Sequence, residues 1–425
     1  MLDSIQQKTF LFFLHEHHPD WGIVKDRTAN WAPASIAATG FALPCFAIGA
    51  ERKWISRDEA AQITLKTLNF FSHSVQSTAT NATGYKGFYY HFLTMDKGVR
   101  AWSCELSSVD TGLLMMGIIF ARNYYSLDND VEKQIRELAG KLIGRMEWDF
   151  LRMPAASGEY ANEICMGWTP EKGLHRMGWQ GYNEALFLYI LAAGTGMENV
   201  QESYAAWLKP YKWQTPYKGL SHVVFPPLFG HQFSQAFIDC RGLADSYMKA
   251  KGIDYFENSR RATYTQRQYA IDNPHGWAGY GALCWGITAC DGPTEKRNFD
   301  GKKFLGYAGR GTSGPDYNYF DDGTIAPYAA LASLPFAPEI VLPTVDSMLK
   351  KYGDGLWGQY GLYDSFNPTA KWFDDDFLGI DQGPLLIMIE NFRTGLVWNF
   401  TMKDPVIQNG LTKLGFQYAG KRRPG

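Results

Sequence analysis

The sequence predicts an all-α fold, an (α/α)6 toroid in which a ring of six inner helices is enclosed by six outer ones. Three observations carry that expectation. Apolar residues recur at helical spacing along most of the 425 residues, while the alternation expected of strands is rare. Stretches that are apolar nearly all round, such as 182–195 and 324–334, alternate with amphipathic ones, as enclosed helices alternate with half-solvated ones in a double ring. Long connections at 77–101, 149–181, 273–323 and 354–381 combine Gly, aromatic and acidic residues, and loops of that length in a compact domain usually serve function at one mouth. A less regular helical bundle is the alternative. A toroid can use this much chain as one unit, so a single domain over 1–425 is expected.

In chain order, helices are predicted over 2–17, 34–49, 57–75, 108–125, 130–147, 182–195, 200–209, 232–250, 255–271, 324–334, 338–352 and 382–397. Ser56 with Glu59 and Asp254 with Glu257 have capping-box spacing, and Gly49, Gly252 and Gly353 stand where helices are expected to stop. Over 130–147, Val131, Ile135, Leu138, Leu142 and Met146 share one face while Lys133, Arg136, Glu137 and Lys141 fall elsewhere, which marks an outer helix. A basic end, Lys421 to Arg423, reads as solvated tail.

The composition narrows the class of partner. With 45% hydrophobic and 20% charged residues there is ample material for a core. The 41 basic and 43 acidic side chains leave a formal charge of −2, which gives no field to hold a nucleic acid or an anionic membrane, so a neutral partner is expected. Aromatics reach 15%, and such rings can pack on sugar faces as well as fill a core. The six cysteines show no C-x-x-C pair and read as buried small hydrophobes. No apolar run has the length of a membrane span, and the first residues lack the pattern of a signal peptide, so the chain is expected to be cytoplasmic or a mature form.

Acids recur where enclosed helices begin. Glu184 lies in Tyr182-Asn183-Glu184-Ala185-Leu186-Phe187-Leu188, where lost hydration would raise its pKa and suit a proton donor; pairing with a helix dipole is the other reading. Asp381, in Gly379-Ile-Asp-Gln-Gly-Pro384, is expected to be an N-cap that stays ionised, which suits a base, although capping alone would also explain it. Glu105 and Asp110 bracket another start, one expected to cap and the other to face a cavity, and Asp321-Asp322 precede a fourth. Parallel inner helices would bring these starts to one mouth. A pair of carboxyl groups, one protonating the leaving oxygen and one activating water, is the equipment of glycosidic bond hydrolysis.

Other motifs carry less. His15-Glu16-His17-His18 lacks the spacing that puts two imidazoles on one face, Gly306 to Gly311 with Arg310 has no preceding strand, and no Gly-x-Ser-x-Gly elbow occurs. Pro226 to Gln232, with His231 and Gln232, and Gly87 to Phe92, with Tyr90 and His91, offer imidazole, amide and ring groups for sugars, or else pack loops.

At these residues the sequence resembles the bacterial glucoamylase-like proteins of glycoside hydrolase family 144, the endo-β-1,2-glucanases. The resemblance runs through Gly22 to Arg27, Ser35 to Phe41, Ile48 to Arg52, Gly87 to Leu93, Glu105 to Thr111 and Tyr182 to Ala185. It continues through Pro227 to Gln232, Gly252 to Arg260, Asp321 to Ala326, Leu334 to Pro338 and Gly379 to Asn391, and so covers nearly the whole chain. It implies an (α/α)6 toroid and inverting cleavage of β-1,2-linked glucan to short products such as sophorose. It also implies a general acid at Glu184, a water-activating acid at Asp381, and Glu105 and Asp110 lining the site. Asp110 is held as a further catalytic candidate, and Glu105, Tyr90, His91, Trp179 and Tyr182, with His231, Gln232, Arg310 and Asp322, are expected to bind substrate. A cyclising transglycosylase and a carbohydrate-binding protein without chemistry are the rival classes. No cofactor or metal is expected; Asp374, Asp375 and Asp376 would be the place for an oxygen-ligated ion if that is wrong. A monomer acting in the periplasm or outside the cell is expected from the substrate class, with a cytoplasmic location as the alternative.

Overall fold

The computed structural model describes residues 1–294, 298–299, 301–312 and 318–418; the Lys421 to Arg423 tail lies outside them. The described residues form mostly helix. Early in the chain come α1 (Leu2–His15), α2 (Ile36–Glu51), α3 (Arg57–His73), α4 (Ser108–Tyr124) and α5 (Asp130–Gly144). The middle holds α6 (Leu186–Thr195), α7 (Val200–Leu208), α8 (Phe233–Phe237), α9 (Ser246–Lys251) and α10 (Tyr255–Asp272). The last part holds α11 (Pro327–Ala332), α12 (Pro338–Leu356), α13 (Gly379–Arg393), α14 (Leu396–Thr401) and α15 (Pro405–Lys413). None is long and apolar enough to cross a membrane.

The predicted split into enclosed and outer helices is present. Nearly every residue of α2, α4, α6, α11 and α13 is buried. In α5 only one face is buried, with Ile135, Ala139, Leu142 and Ile143 inward, and it packs on α3 and α4. Enclosed helices touch one another in the order α6, α4, α2, α13, α11. The start of α8 and the residue before it span the remaining side: Gln232 Nε2 donates to Ala329 O and Ser333 Oγ at the α11 side, and Ser234 Oγ donates to Glu184 O ahead of α6. The contact of α2 with α4 depends on two glycines. A Cβ on Gly117 would lie 2.0 Å from Gly40 O, so the backbones meet without side chains between them.

Several boundaries differ from expectation. Gly49 lies inside α2, where a Cβ would meet the Phe10 ring at 2.3 Å, and Gly353 lies inside α12; only Gly252, at φ +74°, stops a helix as expected. The helix predicted over 232–250 is broken into α8 and α9, because Gly242 takes φ +72° and Leu243–Ala244 pair with Gln417–Tyr418 as short strands. Asn183 Oδ1 accepts from Ala185 N, so the helix predicted from 182 begins at Leu186. The helix predicted from 382 begins a turn earlier, at Gly379, and ends before Gly395 at φ +69°. Helices α14 and α15 were not foreseen.

Strands are two or three residues long, and their use is local. Gly84–Tyr85, Phe88–Tyr90, Leu106–Ser107, Gly167–Thr169 and Gly173–Leu174 form an antiparallel five-stranded sheet, with Tyr90 opposite Leu106 and Leu106 opposite Trp168. This sheet delivers His91, Glu105 and Gly167 to one wall of a cavity.

Candidate active site

The cavity has a volume of about 500 Å³ and lies where the enclosed helices start. Asp110 from the first turn of α4, Glu184 just ahead of α6, Phe233 at the start of α8, Tyr328 at that of α11 and Asp381 at that of α13 all face it. The expected convergence of acid-bearing helix starts is therefore present at three of four places. Asp321 is the exception: its carboxylate accepts from Tyr280, Tyr269 and Trp277 and is used up in the loop.

Glu184 behaves as its sequence context suggests. Its Oε2 is shut off from water with no hydrogen-bond partner, and burial, with a contribution from the Asp110 charge, raises its pKa to about 7. A carboxyl group in that state can donate a proton near neutral pH.

Asp381 requires a correction. It is not an N-cap: Leu378 holds that place, and Asp381 sits in the first turn with 2% exposure. Its Oδ2 has no partner among protein donors, and burial raises its pKa, opposed by hydrogen bonds from Asp364 and Tyr328. The residue expected to stay charged by capping is thus a buried acid held by a second buried acid. Asp364 is 1% exposed; its Oδ2 accepts from Asp291 N at 2.8 Å, and its Oδ1 has no partner other than the Asp381 carboxyl. Burial and the Asp381 charge raise Asp364 well above the usual carboxylate range, so the two carboxyls hold a proton between them.

On the opposite wall His91 bridges two acids, with Nδ1 2.9 Å from Glu105 Oε1 and Nε2 3.6 Å from Asp110 Oδ2. Burial acts to lower its pKa, but the two carboxylates outweigh that and lift it to about 9, so the ring is an imidazolium at neutral pH. In return His91 holds Glu105 below its ordinary value against the effect of burial. Asp110 also takes part in the cap of α4, since Ser107 Oγ donates to its Oδ2 at 2.5 Å and accepts from its N at 3.2 Å. Ser107 is therefore the cap, and Glu105 and Asp110, one of which was expected to cap, both face the cavity. Trp179 lines the cavity with Nε1 bonded to Ser108 Oγ at 2.9 Å.

Six residues expected to bind substrate lie outside this lining. Tyr90 precedes His91 and points to the opposite face of its strand, where Arg100 lies over its ring at 4.8 Å. Tyr182 stacks on Tyr255 at 5.8 Å, and His231 is fully buried beside it, bonded to Phe225 O, with its pKa lowered to about 3 by burial and by His222. Gln232 is occupied by the two bonds to the α11 side. Arg310 and Asp322 form a fully buried bidentate pair at 2.8 and 2.9 Å, and Arg310 also ties the carbonyls of Cys290, Leu305 and Gly306. These side chains hold loops and layers together. Residues the sequence reading missed include Tyr328, His175 and Tyr307 on the lining, and Asp364 behind it.

Among the described residues, two groups of side chains have metal-ligand types at close range. His91, Glu105 and Asp110 form one, and Asp291, Asp364 and Asp374 form the other, each bringing its ligand atoms within 4.8 Å. In the first, the imidazolium of His91 offsets one of the two carboxylate charges. In the second, Asp291 is paired with Arg27 at 2.7 Å, while Asp374 Oδ2 has no partner. The His15 to His18 run is used otherwise: Glu16 binds Lys25 at 3.0 Å, His17 bonds Phe13 O and His18 stacks on Trp21.

The sequence profile of the Glycoamylase family matches residues 176–405, more than half of the chain. The chain belongs to the Glycoamylase family. The chain is 29% identical over 448 residues to the exo β-1,2-glucooligosaccharide sophorohydrolase (non-reducing end) of Parabacteroides distasonis, with 97% of the chain and 57% of that protein covered. The chain thus spans a little over half the length of that curated relative. It superposes on a crystal structure from Bacteroides uniformis with a TM-score of 0.84 and 31% identity, covering 98% of this chain and 97% of the other. It also matches the endo-β-1,2-glucanase of Chitinophaga pinensis, with a TM-score of 0.82, 27% identity and coverage of 98% and 99%. The resemblance read from the motifs is borne out.

Proposed function

We propose that this protein is a glycoside hydrolase that cleaves β-1,2-glucan or its oligosaccharides with inversion at the anomeric carbon, releasing short products that include sophorose. The observation that carries this reading is the placing of Glu184 and Asp381 on one cavity, Asp381 buried and Glu184 half-buried with its Oε2 shut off from water, each raised toward neutrality. Protonated Glu184 gives its proton to the glycosidic oxygen as that bond breaks. Ionised Asp381 takes a proton from water, directly or through a sugar hydroxyl, as the water oxygen bonds to the anomeric carbon. The imidazolium of His91 and the ring of Trp179 supply a hydrogen-bond donor and an apolar face for the sugar.

The same proposal extends to architecture. The succession of contacts from α6 through α4, α2 and α13 to α11, closed by the start of α8 and the residue before it, supports a complete inner ring and hence an (α/α)6 toroid built as one domain. The proposed substrate class, an envelope or extracellular glucan, supports a location in the periplasm or outside the cell. A reducing-end assay on linear β-1,2-glucan tests the activity. New ends are expected in proportion to enzyme; rings without new ends would mean a cyclising transferase, and an intact polymer a binding protein.

A further inference from the structure

Two tryptophans stand out on the surface beside the cavity. Trp31 and Trp102 are 67% and 63% exposed, and their ring centroids lie 6.3 Å apart at an interplanar angle of 45°. Single exposed apolar residues are ordinary, but these two are held where solvent alone gives no reason to hold them. Trp102 has a φ of +53°, a left-handed conformation that is strained for a bulky side chain. Trp31 is anchored from one side by the Arg27 guanidinium, 5.8 Å from its centroid, and Arg27 is itself fixed by Asp26 and Asp291.

The pair is continuous with the proposed catalytic cavity. From His91 on the cavity wall the rings step 3.9 Å to Phe92, stacked at 12°, then 5.4 Å to Trp102 and 6.3 Å to Trp31. An aromatic ladder thus leads from the reacting centre to the protein surface. The apolar C–H faces of pyranose rings pack on indole, and a chain emerging from the cavity beside His91 would meet these rings in turn.

We infer that Trp31 and Trp102 form an outer sugar-binding subsite that holds the distal units of the same glucan chain cleaved in the cavity. The inference rests on the proposed hydrolysis and adds to it a preference for long chains. Short oligosaccharides end before they reach the ladder, so the subsite strengthens binding only for longer ones.

The test compares polymeric linear β-1,2-glucan with the shortest oligosaccharide that the enzyme cleaves. The variants are Trp31→Ala and Trp102→Asn, the second chosen because Asn tolerates a positive φ and keeps the backbone in place. Each is expected to lower the ratio of kcat/KM for polymer to kcat/KM for oligosaccharide by roughly three- to tenfold, through KM for the polymer. Melting temperature confirms that each variant is folded. An unchanged ratio in both folded variants overturns the subsite while leaving the hydrolase reading intact. A wild-type enzyme that opens no β-1,2-glucan overturns that reading and the subsite with it. If the double variant turns a dimer into a monomer in sedimentation and leaves the ratio unchanged, the patch is a self-association face and the inference falls.

Discussion

Glu184 and Asp381 reach a similar electrostatic state by different routes, and substitution separates their roles. Glu184 is raised by burial with the Asp110 charge adding to it, whereas Asp381 is raised by burial and restrained by the proton it shares with Asp364. Glu184→Gln and Asp381→Asn keep shape and remove proton transfer, so each is expected to lower kcat by on the order of 10²-fold or more with an unchanged circular dichroism spectrum. Removing the donor with Asp364→Ala should raise the pKa of Asp381 and move the acidic limb of the kcat profile upward by about one pH unit. Asp364→Asn retains a donor and should restore that limb toward its wild-type position. If both variants leave the limb in place, Asp364 only fills space. Glu184 was legible in the sequence because a charge at the head of an apolar run is conspicuous on its own. Asp364 was not, because Leu362-Tyr-Asp-Ser-Phe366 carries no local anomaly and its meaning comes from burial against α13. Arg310 and Asp322 misled for the converse reason: polar residues near Gly-rich loops look like ligand groups until their mutual bidentate pairing is seen.

Elements were readable where one helix face or a complete apolar surround decided them. The outer helix α5 followed from periodicity and the enclosed α6 and α11 from their apolar surround, while α8 and α9 did not follow, since Gly242 breaks the run through a backbone angle and a strand pairing with residues far along the chain. Glycine read as a helix stop failed at Gly49 for a packing reason, the closeness of Phe10. The same physics gives a paired prediction. Gly117→Ala would place a Cβ against Gly40 O, backbone against backbone, and should destabilise the protein by about 1–3 kcal/mol as α2 and α4 separate. Gly140→Ala on the outer α5, where an added Cβ meets nothing within 4 Å, should stabilise by up to about 1 kcal/mol through helix propensity. Thermal melts of the two variants, read against wild type, check both signs; a neutral Gly117→Ala would mean that α2 and α4 can move apart without loss.

At the scale of the molecule, the buried acids and histidines set how stability varies with pH. His231 and His222 are lowered to about 3 and about 4 by burial, so below an unfolded value of 6.5 the unfolded chain binds protons the native one does not, and stability is lost as pH falls. Above pH 6.5 both rings are neutral in either state and contribute no slope. Glu163 and Glu184 are raised to about 7 and Asp374 to about 9, burial being the first cause in each. For these groups the stabilising difference is fully present below their unfolded values of 4.5 and 3.8, and is lost as pH rises through the folded ones. Melting temperature is therefore expected to fall between about pH 7 and 9, where Asp374 and His91, each raised to about 9 in the folded chain, keep protons the unfolded chain has lost and the two lowered histidines no longer oppose them. Asp374→Asn should flatten that fall, because its Oδ1 can still accept from Asp375 N while the amide, neutral at every pH, faces Asp364 and Asp291. A divalent ion held by Asp291, Asp364 and Asp374 would reverse the expectation, since it would favour the ionised carboxylates. Melts at pH 8 with EDTA and with added calcium decide between protons and a cation: equal melting temperatures support protonated acids, and a rise with calcium that EDTA removes would show an ion-binding cluster behind Asp381.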